Sequence, residues 1–196
     1  MSTTTTPRRI TKEIETFCAE VNPSEYPSFV KVLPSPHSSL NECFHNVREQ
    51  VRIKGGKPVY GWTIWEWPKV LLEAEFHCVW KSPYGELSDI SPKTNNENEI
   101  LFVRDDRKTF DFSNLNRVNS HRLALNSDPM IHDFIRTAES IDSITPSSGM
   151  PDPPEFIVRK LYKLKLQICK HYTNKNGPCI CGSGKIFKKC CFNKIP

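Results

Sequence analysis

Beyond Glu155 the chain has no aspartate or glutamate, yet ten lysines and arginines follow it. Residues 1–155 hold seventeen bases against twenty-two acids, so the net charge of +5 belongs to the C-terminal part alone. That asymmetry excludes a uniformly basic protein and points to a separate module with an anionic partner. Long apolar runs are also missing. No stretch approaches the roughly 18 consecutive apolar residues of a membrane helix, so no membrane span is expected. Nor does the start, MSTTTTPRR, carry an apolar segment behind its basic residues. A secretory signal is therefore not expected, and a cytosolic setting is. In that setting the eight cysteines stay reduced, and clustered ones read as metal ligands rather than disulfides. Global disorder is excluded too, because 37% hydrophobic residues over 196 positions suffice for a core.

The pattern along the chain predicts an α+β protein, with a small antiparallel sheet, flanking helices and a C-terminal zinc knuckle. Residues 1–9 read as a disordered N-terminus. Ile10, Ile14, Phe17, Cys18 and Val21 fall at helical spacing over 10–22. After a Pro-rich loop, Ser39 and Glu42 fit a capping box that opens a helix over 39–53. Leu40, Cys43, Val47 and Val51 line its apolar face. Strands follow at 59–67 and 71–80. The second alternates Leu72, Ala74, Phe76, Cys78 and Trp80 on one face with Glu73, Glu75, His77 and Val79 on the other. A turn at 82–85 leads to a partner strand at 86–90, and two more strands are predicted at 99–103 and 108–112. A helix over 128–142 starts with Asp128 as cap and Pro129 in the first turn. These elements make up an α+β domain over 10–144, followed by a Pro-rich linker at 145–154. The remainder, 155–196, is a basic helix with the stripe Ile157, Leu161, Leu164 and Ile168, then a four-cysteine segment.

That segment reads Pro178-Cys179-Ile180-Cys181-Gly182-Ser183-Gly184-Lys185-Ile186-Phe187-Lys188-Lys189-Cys190-Cys191. Cys179 and Cys181 are one residue apart, as a tight turn would present them, and Gly182 and Gly184 free the backbone just after. Lys185–Lys189 is long enough to return Cys190 and Cys191. Four thiolates at tetrahedral corners suit one structural zinc ion and leave no open position for catalysis. The segment holds too few residues for an apolar core, so metal is expected to supply its folding energy, about 10–16 kcal/mol for such peptides.

The pattern C-x-C-G-S-G-K-x-[YF]-K-K-C-C resembles the SEC-C motif, found at the C-terminus of the SecA translocation ATPase and of many small bacterial proteins. The resemblance implies a zinc-binding module that presents a basic surface to a protein or the ribosome.

A second constellation is Cys43, His77 and Asp89. A thiol nucleophile needs a base in reach, and the base needs an orienting acceptor. Cys43 lies near a predicted helix N-terminus, which favours anionic groups. His77 sits on the polar face of its strand, and the turn at 83–84 brings Asp89 opposite a residue close to it. Phe76-His77-Cys78-Val79-Trp80, with Gly85-Glu86-Leu87-Ser88-Asp89-Ile90-Ser91-Pro92, is similar to the H-x-W…G…D-x-T-P pattern of transglutaminase-like proteins. The chain order also resembles papain-like cysteine hydrolases. The resemblance covers 39–112 and implies Cys43 as nucleophile, His77 as general base, Asp89 as orienter and an amide or isopeptide substrate.

Plainer readings stand beside it. Cys43 shares a face with Leu40 and Val47, as a small core residue would. The aromatics Tyr60, Trp62, Trp65, Trp67, Phe76 and Trp80 read as core. Asp105-Asp106 reads as a solvated turn. Three functions follow. One is a cysteine hydrolase or acyl transferase docked by its zinc module. Another is a non-catalytic adaptor that binds a protein or the ribosome. The third is nucleic-acid binding through the basic tail.

Overall fold

The computed structural model describes residues 4–94, 97–113, 118–144, 152–172, 174–179 and 183–192. Within them the chain forms helix α1 (Lys12–Val21), strand β1 (Ser28–Lys31), helix α2 (Cys43–Lys54) and strands β2 (Lys57–Trp67), β3 (Leu71–Lys81), β4 (Leu87–Ser88), β5 (Glu99–Arg104) and β6 (His121–Ala124). Helices α3 (Pro129–Ile144) and α4 (Glu155–Tyr172) follow, then a short 3-10 turn at Phe187–Lys189. The expected linker falls largely on 145–151, outside the described residues. No helix among the described residues is long and apolar enough to cross a membrane.

The fold is mixed helix and sheet, as the periodicities predict. Six strands form one sheet in the order β1-β5-β2-β3-β4, with β6 on β3. The pairings of β5 with β1 and β2, and of β4 with β3, are antiparallel. The sheet closes nearly into a barrel, because the chain after β1 meets the chain after β4. Val32 bridges Asp89, the Leu33 N–H donates to the Asp89 carbonyl at 2.8 Å and the Asp89 N–H to the Lys31 carbonyl at 2.9 Å.

Two compact units are distinguished. The first comprises Thr6–Trp65 and Ala74–Phe112. One apolar cluster there joins Val30, Val32, Val59, Val79, Ile100 and Phe102. Another joins Cys43, Val47, Cys78 and Ile90 where α2 packs. Gly61 is required by close approach: a Cβ there would lie 2.2 Å from the Val103 carbonyl oxygen and 2.5 Å from the Phe102 ring. The second unit comprises Met1–Thr5, Glu66–Glu73 and Ser113–Pro196. Its core joins Trp67, Val70 and Leu71 to Ile131 and Ile135 of α3, Ile168 and Cys169 of α4, and Cys179, Phe187, Cys190 and Cys191. The C-terminal segment thus shares a real apolar core, contrary to the expectation that metal alone folds it. Phe187, at 1% exposure, supplies the anchor.

Local departures have physical reasons. Helix α2 starts at Cys43, with Glu42 as a cap that makes no side-chain bond. The capping box fails because Asn41 takes φ 61° and the Asn46 side chain instead clasps Ser39, accepting its N–H at 2.9 Å and donating to its carbonyl at 2.8 Å. Residues 108–112 form no strand. Phe110 stacks on Phe44 at 4.1 Å, so this segment spends its aromatics on α2 rather than on a ladder. Asp105 is buried, not solvated, accepting from Trp62 Nε1 at 3.0 Å and Arg107 Nε at 2.7 Å. Asp128 does cap α3, its Oδ1 accepting the Met130 N–H at 2.8 Å.

Candidate metal centre and a buried histidine–aspartate pair

A small backbone clasp builds the C-terminal site. Pro178 bridges Ile186 in antiparallel fashion, and the Cys179 N–H donates to the Lys185 carbonyl at 2.7 Å. The Phe187 N–H reaches the Gly177 carbonyl at 2.9 Å, and that of Lys188 reaches Lys175 at 2.9 Å. Gly184, at φ +73°, makes the reversal that a side chain would strain. The 3-10 turn then delivers Cys190 and Cys191 beside Cys179.

The Sγ atoms of Cys179, Cys190 and Cys191 all lie within 4.8 Å of one another, and all three residues are buried. Those of Cys190 and Cys191 are 4.0 Å apart. Tetrahedral zinc with bonds of about 2.3 Å separates its sulfurs by about 3.8 Å, so the spacing fits a shared ion with little adjustment. An all-thiol donor set suits a thiophilic metal, such as zinc, copper(I) or an iron–sulfur cluster. Ser183 Oγ lies 3.4 Å from Cys190 Sγ, where its hydroxyl can donate to a thiolate. Burial pulls the Lys165 ammonium down, opposed by Cys169, Cys191 and Glu73 nearby. Cys181, the fourth expected ligand, lies outside the described residues.

The second constellation is partly assembled. Asp89, with a fully buried side chain, sits 2.8 Å from His77 Nε2 and 2.5 Å from Lys93 Nζ, both through Oδ2. Its Oδ1 accepts the Ser91 N–H at 2.9 Å. Burial alone would raise Asp89, but His77 and Lys93 hold it down at about 2. As a carboxylate it only accepts, so His77 Nε2 carries the hydrogen between them. Burial works to lower His77, yet negative charge at Cys43 and Asp89 outweighs it and lifts the imidazole to about 10. Ser91 Oγ accepts from Asn46 Nδ2 at 3.0 Å, linking this cluster to the first turn of α2.

Cys43, the first residue of α2, packs against β3 beside the neighbours of His77 and Asp89. It clusters with Cys78, while Phe76 stacks near Phe44 and Tyr60. Among the described residues no hydrogen bond joins Cys43 to His77. The structure therefore pairs His77 directly with Asp89 and sets Cys43 near enough to the imidazole for its charge to act there, without a hydrogen bond between them. Sequence reasoning missed Lys93 and Ser91. Their only signal was spacing from Asp89, four and two residues on.

Residues 176–193 match the family model of the SEC-C motif. No curated protein and no solved structure matches the chain. The comparisons lend no support to the transglutaminase-like resemblance.

Proposed function

We propose that the chain is a zinc-binding adaptor in which Cys179, Cys181, Cys190 and Cys191 hold one structural zinc ion. The observation that carries this is the set of three buried sulfurs within 4.8 Å, inside the span that matches the SEC-C motif. Bound zinc would supply a cross-link between the turn at Cys179 and the end of the 3-10 turn. The chain's own residues do the rest: Phe187 anchors the segment against Ile168, and the Ser183 hydroxyl lies within hydrogen-bond reach of Cys190 Sγ. The acid-free basic segment from Phe156 onward is then presented to a protein or ribosomal partner in a cytosolic, reducing setting. Metal analysis of the purified chain tests the site. One zinc per chain, lost in Cys190→Ser, is expected. Equal metal content in that variant would overturn it. Specific capture on ribosomes or an acidic protein, abolished by reversing Lys188 and Lys189 to Glu, tests the adaptor role.

A second reading is a cysteine hydrolase or acyl transferase with Cys43, His77 and Asp89 as its triad. The buried His77–Asp89 bond at 2.8 Å favours it, since that bond orients the imidazole and leaves Nδ1 for a thiol. The charge of Cys43 acting on the imidazole supports the same reading. Alkylation of Cys43 that is rapid near neutral pH and slowed in His77→Ala would support the triad. An inert Cys43 in a folded, metal-loaded chain would remove it.

A further inference from the structure

We infer that a recess beside α2 binds a small arylalkanoate, an aromatic ring carried on a short acid. Phe44, Arg48 and Val51 of α2, Pro58 and Tyr60 of β2, and Phe112 line it. It is a half-open recess of about 120 Å³, of the same order as the roughly 150 Å³ that accommodates benzene in an engineered apolar cavity. Its walls are mostly apolar and held in place. Phe44 is stacked by Phe110 at 4.1 Å, and Phe44, Val51 and Tyr60 pack on the buried cluster of Cys43, Val47, Cys78 and Ile90.

One cation borders this apolar surface. The Arg48 guanidinium lies over the Phe112 ring at 4.3 Å and near His45 Nδ1 at 3.4 Å. It makes no ion pair with a carboxylate among the described residues, whereas its neighbour Arg52 is paired to Glu49. The Tyr60 hydroxyl has no hydrogen-bond partner among the described residues. Burial, with Cys78 and Cys43 adding to it, pushes Tyr60 up, so it stays a neutral donor. A ring-sized recess bordered by one cation that has no carboxylate partner among the described residues matches a ligand with one apolar ring and one carboxylate. A neutral aromatic would leave Arg48 uncompensated, and a polyanion would find no second cation among the lining residues. This inference does not depend on catalysis at Cys43 or on the metal.

The test is titration of the full zinc-loaded chain with phenylpropionate and with phenylpropanol, followed by NMR shifts of the Phe44 and Val51 amides. The acid is expected to bind roughly tenfold more tightly than the alcohol, the ratio that one charge-assisted hydrogen bond supplies. Arg48→Gln, at an exposed position, should bring the two ligands level. Val51→Trp should abolish binding of both by filling the recess, with the circular dichroism spectrum unchanged. Equal binding of acid and alcohol by the parent chain would overturn the inference. So would absence of saturable shifts, or undiminished binding by the folded Val51→Trp variant.

Discussion

His77 Nε2 and Asp89 Oδ2 meet at 2.8 Å across the β3–β4 turn, with both side chains buried. Lys93 Nζ shares the same oxygen. One carboxylate thus serves two nitrogen bases, and its own backbone carries the bridge to Val32. Charge at this point and closure of the sheet are one structural unit.

Stability should therefore fall on both sides of mildly acid pH. Asp89 is depressed to about 2 from 3.8, so its contribution is present above 3.8 and lost as pH falls towards 2. The linkage is worth about 2 kcal/mol. His77 is raised from 6.5 to about 10, so its contribution is complete below 6.5 and lost as pH climbs through 10. Urea unfolding from acid to alkaline pH should show both limbs, and His77→Gln should flatten the alkaline one.

Asp89→Asn should be among the most damaging single changes. It removes a buried charge while leaving Lys93 and His77 in place, a loss of about 3–5 kcal/mol. Thermal unfolding would register it. A variant within a few tenths of a kcal/mol of the parent (on the order of a surface substitution) would mean that the cluster is not closed in solution.

Chelation should lower the melting temperature and expose Cys179, Cys190 and Cys191 to alkylation, while Cys18 and Cys78 stay protected. The latter two are buried in apolar surroundings that push their thiols upward, Cys18 to about 12. Mass-spectrometric mapping with and without chelator separates the two classes. Protection of all of them in the stripped protein would count against a metal.

Phe187→Ala should cost about 3–5 kcal/mol by opening a cavity in the core it shares with Ile168 and Trp67. Because the same turn delivers Cys190, zinc affinity should fall with it. Calorimetry and a competitive zinc titration on one sample would read both effects.

Gly61→Ala should destabilise by about 1–3 kcal/mol or more, since the added methyl meets the Val103 carbonyl and the Phe102 ring with no flexible group to yield. A lowered urea midpoint with an unchanged slope is expected.

Much of this was legible beforehand, and the reasons differ by element. Helices α1, α3 and α4 and strands β2, β3 and β5 repeat their apolar residues with a clear period, so local pattern and tertiary burial agree. Strand β1 is four residues long with only Val30 buried, between Pro27 and Pro34, and such a segment carries no period. Phe110 and Phe112 alternate as a strand would, but contact with Phe44 and His45 decided their fate, and that contact spans some sixty residues of sequence. The clustering of Cys179 with Cys190 and Cys191 was readable from their spacing, because all three lie within one short segment. The pairing of His77 with Asp89 was readable from turn length. How closely Cys43 approaches them was not, because where α2 settles against β3 is decided by packing, not by chain order.

The meeting of Val32 with Asp89 has a further consequence. The first and last strands of the sheet order, β1 and β4, would otherwise each present unpaired amides to any extended segment nearby. By bonding to one another through Lys31, Leu33 and Asp89 they deny that template to a second chain. Resistance to strand addition here comes from backbone closure, and it is lost whenever the Asp89 segment detaches.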